Sequence, residues 1–342
     1  MYELRFLHTH FLLCFAKTWR TKPTMTTTST VRISRRIDFC IDLFALTTNR
    51  GEAKALVRYV VSALIASFAP RFTYNFLASV WGLFRYLTQP ERRRWSRAGQ
   101  KLVSRGKLGP IKLEIRNLAA FKSYVKFWIE LLAVPLASPE RIGLDLTIEG
   151  DEPLRKSLAT GKGAIVATGH IGNPDWGAFV LSAYVNPVAT VVAPLKPPIL
   201  EKWFVFVRSL RGLETILLKG PVTKQILDGL NSGKLIAMAC DYDMSGTAME
   251  VSFFSKQLPI SSGPATLALR TNTPIYPAAC FMTQSGGHLA KIMGPIFPED
   301  AVGTSVREKI LYLTQEIAKS LELLVSSAPE QWHVVISLPI PD

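Results

Sequence analysis

Residues that could hold a metal or an oxidised framework are scarce in this chain of 342 residues. Its four cysteines, Cys14, Cys40, Cys240 and Cys280, form no Cys-x-x-Cys pair. That scatter argues against a zinc site and a disulfide scaffold, and fits a reducing compartment. Cys240 and Cys280 lie in apolar, strand-like stretches, where a free thiol serves packing. Long apolar runs are missing too. A membrane-spanning helix needs about 20 mostly apolar residues, and the cleanest run, within residues 53–87, is broken by Arg58 and by Pro70-Arg71. The chain has no internal repeat and no low-complexity tract. Helix-turn-helix, zinc-finger and RNA-binding signatures are absent, so nucleic acid is not an expected partner.

Acidic charge is short in one region only. Residues 1–130 carry 23 Lys/Arg against 7 Asp/Glu, whereas residues 131–342 carry 17 against 19. The net charge of +14 therefore arises wholly in the N-terminal part. Basic charge mixed with Trp, Phe and Tyr suits an anionic membrane surface. The hydrophobic content of 48% is enough for one large core or two modest ones.

Along the chain, Phe11 to Ala16 form a short apolar leader without a small-residue cleavage site, followed by Lys17 and Arg20. This is a poor signal peptide. Met25 opens a Thr-rich stretch that resembles an ordinary N-terminus, which makes residues 1–24 a candidate over-extended start. Residues 53–87 read as two interfacial helices joined near Pro70, or as a pair of helices buried in a core. Arg92-Arg93-Arg94 with Trp95, Arg97, Lys101, Arg105 and Lys107 reads as a basic helix facing phospholipid. Phe121, Tyr124, Val125, Trp128 and Leu132 recur at helical spacing. From about residue 144 apolar strand-like runs alternate with amphipathic segments, which predicts α/β structure, a largely parallel sheet flanked by helices. The expected organisation is an extension over 1–52, a basic and apolar helical membrane-associated region over 53–143, and an α/β core over 144–342.

Several constellations could carry chemistry. His170 ends the apolar run Gly163–Ala167 plus Thr168-Gly169, and Asp175 follows five positions on, beyond Gly172-Asn173-Pro174. An imidazole at a strand end can act as a general base, and a carboxylate can fix its tautomer. The bland alternative is a loop histidine and an Asp seated in the helix dipole. Asp241 and Asp243 follow the strand-like run Leu235–Ala239, where carboxylates commonly face a ligand crevice. Two acids at that spacing also suit a metal, but no third ligand completes a site, so none is expected. Glu250 lies inside the apolar run Ala248–Phe254, which suggests a buried contact to the imidazole or to a substrate hydroxyl. Ser262-Gly263-Pro264 marks a helix start that could hold a phosphate or oxyanion, or simply cap a helix. Arg208 and Arg211 could pair with a phosphate or with an acid of the site.

Taken in order, these blocks resemble the bacterial glycolipid acyltransferases, the family of the lipid A late acyltransferases and the phosphatidylinositol mannoside acyltransferases. The resemblance runs from about Tyr124 to Trp332. Its centre is a His-x4-Asp signature, His170 to Asp175, with Pro174 where an aromatic is usual. Leu195-Lys196-Pro197 with Arg208 and Gly212, Asp241-Tyr242-Asp243, Met249-Glu250-Val251-x-Phe253-Phe254, Gly263-Pro264-Ala265 and Trp332-His333 are similar to blocks of the mannoside branch. The lipid A branch usually lacks a Glu at the place of Glu250.

The resemblance implies a glycerolipid-acyltransferase-like α/β fold and transfer of a fatty acyl group from acyl-CoA to a glycolipid hydroxyl. No cofactor is implied, since acyl-CoA is a donor substrate. His170 would deprotonate the hydroxyl, Asp175 would orient the imidazole, and Glu250 would position the imidazole or sugar. Arg208 and backbone N–H groups would stabilise negative charge. Asp241, Asp243, Lys196, Ser262 and Gly263 complete the expected substrate-binding set. The expected place is the cytoplasmic face of the bacterial inner membrane, peripheral or monotopic. Competing readings are a lipid A late acyltransferase, a lysophospholipid acyltransferase, and a non-catalytic membrane scaffold.

Overall fold

The computed structural model describes residues 47, 49–68, 71–134, 146–185, 187–243 and 246–334. The leader at 11–16, the alternative start at Met25, Cys14 and Cys40 lie outside them.

Among the described residues four helices come first: α1 (Arg50–Phe68), α2 (Arg71–Thr88), α3 (Pro90–Val103) and α4 (Pro110–Ala133). The last two each begin on a proline, whose fixed φ suits a first turn and whose missing N–H costs nothing there. The α/β part follows in the order β1 (Leu146–Glu149), α5 (Glu152–Ala159), β2 (Ala164–Gly172), α6 (Pro174–Tyr184), β3 (Val188–Val192), α7 (Pro198–Ser209), β4 (Leu213–Leu217), α8 (Val222–Asn231) and β5 (Leu235–Ala239). A hairpin, β6 (Ala248–Phe253) and β7 (Lys256–Ser261), precedes α9 (Gly263–Thr271), β8 (Ile275–Met282), β9 (His288–Ile292) and α10 (Val306–Ser327).

Seven strands form one sheet in the order β1-β9-β8-β2-β5-β3-β4, and β6-β7 form a separate antiparallel ribbon. Among the described residues of the sheet only β8 and β9 pair antiparallel; the other neighbours are parallel. A parallel sheet must be covered on both faces, and the strands show it by period-2 alternation. Ile165, Ala167, Ile236 and Met238 point into one core with α8, α9 and α10. Ala164, Val166, Leu235 and Ala237 point into the other with α1, α6 and α7.

The N-terminal helices share a core with the sheet. Leu56, Val60 and Ala63 of α1, and Leu131 with Val134 at the end of α4, are buried in the same core as the strands. The opposite faces of these helices remain open. Ile65, Phe76, Val80, Trp81, Phe84, Leu87, Ile111 and Ile115 are exposed, Ile111 to 76%. Among the described residues no helix is long and apolar enough to cross a membrane.

Candidate active site

Strand β2 is central, and its C-terminal end carries His170. Parallel pairing with β5 puts Thr168 opposite Ala239. Two residues further along both chains stand His170 and Asp241. Adjacent parallel strands in register therefore bring together residues 71 positions apart. This is the strand-end crevice where open α/β sheets bind ligands.

The contact is close and doubly fixed. His170 Nδ1 lies 2.8 Å from Asp241 Oδ1, and the His170 backbone N–H donates to Asp241 Oδ2 at 2.9 Å. Trp332 Nε1 donates to the same Oδ2 at 3.0 Å. The Asp241 side chain is 1% exposed, while that of His170 is 34% exposed. Gly169 makes room for this, since a Cβ there would lie 3.2 Å from the Asp241 side chain. The Asp241 carboxylate thus takes three hydrogen bonds and fixes the imidazole with Nδ1–H toward itself, leaving Nε2 as the accepting nitrogen. Tyr242 covers that nitrogen: its ring stacks on His170 at 4.6 Å and its hydroxyl is 3.0 Å from Nε2.

Electrostatics follow the geometry. Burial disfavours the His170 imidazolium, but the Asp241 charge and hydrogen bond outweigh it, and Asp175 adds a further pull, so its pKa lies above the ordinary 6.5. Burial alone would raise the Asp241 pKa; the His170 charge and hydrogen bonds from His170 and Trp332 hold it below the usual value. Burial pushes the Tyr242 phenol up, and the Asp241 charge pushes it further. His333, whose backbone N–H donates to the His170 carbonyl at 2.7 Å, is pushed down to about 3, by burial first and then by the charge of His170. Its Nε2 meets Ser123 Oγ of α4 at 2.9 Å.

Asp175 occupies a different place from the one expected of it. It stands in the first turn of α6, and Arg208 of α7 takes both its oxygens, Nε to Oδ1 at 2.8 Å and Nη2 to Oδ2 at 3.2 Å. Both side chains are about 10% exposed. The His-x4-Asp spacing places Asp175 one turn into the helix, where its carboxylate faces the neighbouring helix while Nδ1 faces the neighbouring strand. Arg208, with two nitrogens committed to Asp175, is correspondingly withdrawn from a phosphate or an oxyanion.

The loop between these groups is held tightly. Gly172 has φ +62°, and a Cβ there would meet the Cys280 carbonyl oxygen at 2.1 Å, so only glycine fits. Asn173 caps α6 by accepting from the Trp176 N–H at 3.1 Å, and donates Nδ2 to Glu130 Oε2 of α4 at 2.8 Å. The same Glu130 oxygen meets His288 Nε2 at 2.9 Å, and Trp176 stacks on the His288 ring at 4.3 Å. Glu130, His288 and Asn173 were not singled out from the sequence. The only local signal was Glu130 among the apolar residues of a helix core face.

The remaining expected residues are spread around this edge. Glu250 is solvent-exposed on β6, so the expected buried contact is not made; Val251 and Phe253 take the inward positions of the strand, which turns residue 250 outward. Asp243 is half-buried and accepts from the Ala248 N–H at 3.0 Å, closing the approach to the ribbon. Ser262 is buried and gives its hydroxyl to the Thr247 carbonyl. Gly263 opens α9 beside the Met238 sulfur. Lys196 is exposed before the cis Lys196-Pro197 bond.

Known proteins resemble this chain over the same region. Residues 118–337 match the family described as bacterial lipid A biosynthesis acyltransferase. The chain is 27% identical over 220 residues to a phosphatidylinositol mannoside acyltransferase of Mycolicibacterium smegmatis, 64% of this chain and 70% of that protein. A phosphatidylinositol mannoside acyltransferase of Mycobacterium tuberculosis is 27% identical over 223 residues, 64% of this chain and 68% of its own length.

Proposed function

From its membership of the bacterial lipid A biosynthesis acyltransferase family, which makes this chain an acyltransferase, we propose that it transfers a fatty acyl group from acyl-CoA to a hydroxyl of a phosphatidylinositol mannoside. The acceptor class is supported by relatives named for that activity. The observation that carries the mechanism is the His170–Asp241 pair at the end of β2.

With Nδ1–H committed to Asp241, His170 Nε2 accepts the proton of the acceptor hydroxyl. The freed oxygen attacks the thioester carbonyl and forms the C–O bond. Collapse of the tetrahedral intermediate breaks the C–S bond, and the thiolate leaves with the proton from the imidazolium. Asp241 stabilises the imidazolium between the two steps, as a carboxylate does in a triad, but without a serine nucleophile. The Tyr242 hydroxyl, now on Nε2, sits where the acceptor hydroxyl must arrive and is displaced by it. Asp175 supports this site through Arg208, by anchoring the start of α6 against α7. We assign Asp243, Glu250, Lys196, Ser262 and Gly263 to the sugar headgroup, on the family resemblance of the blocks they stand in.

The protein attaches to the cytoplasmic face of the inner membrane through the apolar faces of α1, α2 and α4 and the basic face of α3. Exposed apolar patches of this extent are unusual on a monomer, and the N-terminal excess of Lys and Arg selects an anionic surface.

Purified protein is incubated with palmitoyl-CoA and a panel of acceptors. Acylation of phosphatidylinositol mannosides is expected. Acylation of a lipid A precursor from acyl carrier protein, with mannosides ignored, would replace this reading. Sedimentation with vesicles tests the attachment: binding should favour anionic lipid and weaken with salt, and Trp81→Glu with Phe84→Glu should abolish it. Equal binding to neutral vesicles at every salt concentration would overturn the electrostatic part.

A further inference from the structure

Arg208 is committed to Asp175, and the side chains bonded to the His170–Asp241 pair, those of Tyr242 and Trp332, carry no positive charge for a phosphate-bearing substrate. A cleft beside the pair carries two. Arg85, Arg92, Ser96, Tyr124, Trp332 and His333 are among its lining residues, and its cavity volume is about 30 Å³. Its inner wall is the segment that holds the catalytic pair: Trp332 donates to Asp241, and the His333 N–H donates to the His170 carbonyl. Its outer wall is the meeting of α2 and α3.

Two of the lining residues are arginines. Arg97, one turn further along α3, pairs with Glu114. Among the described residues no carboxylate pairs with Arg85 or Arg92. Arg85 meets only the neutral Gln89, through Nη2 at 3.2 Å, and lies 5.7 Å from the centre of the Tyr124 ring. Its Nε is buried without a hydrogen-bond partner. Burial disfavours its charge most, Tyr124 opposes that, and the nearby Arg92 charge disfavours it again. A buried donor left unpaired is costly, and two like charges without a counter-charge add to the cost. An anion between them would satisfy the Nε–H and relieve the repulsion. Guanidinium groups bind phosphate through paired donors in their planar fork.

From these observations we infer that the cleft between α2, α3 and the Trp332-His333 segment is a phosphate-ester site, with Arg85 and Arg92 as its ligands. It holds the phosphate of a substrate while the reacting group reaches His170. Two substrates carry such a group, the nucleotide portion of the acyl-CoA donor and the phosphodiester of the acceptor. The kinetic half of the inference rests on the acyl-transfer reading above; the binding half does not.

The experiment compares Arg85→Gln, Arg92→Gln and the double variant with wild type. Binding of two soluble probes, coenzyme A and glycerophosphoinositol, is measured by calorimetry. Steady-state kinetics use palmitoyl-CoA against the phosphate-free palmitoyl thioester of N-acetylcysteamine, and a phosphatidylinositol mannoside against a phosphate-free alkyl mannoside. Loss of a charge-assisted hydrogen bond weakens binding about tenfold or more. A donor site raises the KM for palmitoyl-CoA by that factor and weakens coenzyme A binding. An acceptor site raises the KM for the phosphatidylinositol mannoside and weakens glycerophosphoinositol binding. In either case the rise is confined to the phosphate-bearing substrate. If wild type binds neither probe, or the variants leave both affinities and both KM values unmoved, the inference is overturned. An equal loss on phosphate-bearing and phosphate-free substrates also overturns it, since that is structural damage. If probe binding depends on the arginines but no acyl transfer occurs with any donor, the site stands and the acyl-transfer reading fails. Arg92 is exposed, so its single variant keeps the test readable should Arg85→Gln impair folding.

Discussion

Two carboxylates flank the end of β2, and their surroundings assign them different work. Asp241, on the loop after β5, is buried against an imidazole whose other side is partly open. Asp175, in the first turn of α6, is buried against a guanidinium that is closed off as well. In the proposed mechanism the first pair exchanges a proton at Nε2, which the Tyr242 hydroxyl now covers. At the second pair the carboxylate is held at both oxygens by a buried guanidinium. The same residue type thus meets an imidazole at one place and a guanidinium at the other, and the two sites differ in how exposed that partner is.

The largest expected effect is on chemistry at the first pair. His170→Ala should lower kcat by about 10²–10⁴-fold or more, the usual worth of a positioned base, with unchanged thermal unfolding. Asp241→Asn should cost a similar factor, and its pH profile is the sharper measurement. The base must be neutral, so kcat/KM rises with pH through a limb above 6.5, where the Asp241 charge has moved His170 against the effect of burial. Removing that charge leaves burial dominant, so the limb should move to lower pH as the plateau falls. A limb that stays in place would mean that Asp241 is not the ionic partner.

The second pair should answer in stability first. Asp175→Asn leaves Arg208 buried and unpaired, at a cost of about 3–5 kcal/mol, read as a fall in the urea midpoint. Replacing both partners with apolar residues should recover much of that loss. If Asp175→Asn leaves the midpoint unchanged and shifts the pH limb as far as Asp241→Asn does, the two carboxylates are not distinct in the way described.

Smaller effects sharpen the comparison. Gly172→Ala forces a Cβ against the Cys280 carbonyl and should cost about 1–3 kcal/mol. Tyr242→Phe removes the hydroxyl from Nε2, and should raise hydrolysis of the thioester by water relative to transfer, as measured by free coenzyme A released without acceptor. An unchanged ratio would leave the phenol with a packing role only. Glu250→Gln should be the mildest. As an exposed substitution it should change stability by less than about 0.5 kcal/mol, with any effect confined to the KM of the mannoside.

Much of the architecture was legible before the structure. Alternating strand and helix texture from residue 144 predicts the parallel sheet, because a strand buried on both faces must be apolar throughout. His170 was legible as a candidate base for a local reason: an apolar run ends there and a Gly/Asn/Pro loop begins. The two helices meeting near Pro70 were legible as well, from the break in an apolar run. Their packing role was not, since a helix shows its own apolar stripe but not what will cover it.

The sequence by itself determined which groups could react and which segments would become strands, since both depend on neighbours within a few residues. It also placed an acid five positions after His170, and that spacing pointed to Asp175. Only the tertiary structure decided which carboxylate the imidazole would meet. Parallel pairing of β2 with β5 sets Thr168 opposite Ala239, and this register carries Asp241 to Nδ1. The start of a helix turns Asp175 toward Arg208 instead. Tyr242, Trp332 and the arginines of the α2–α3 cleft enter the site in the same way. Each is distant along the chain from His170, and strand register and helix packing, which no local pattern encodes, bring them to it.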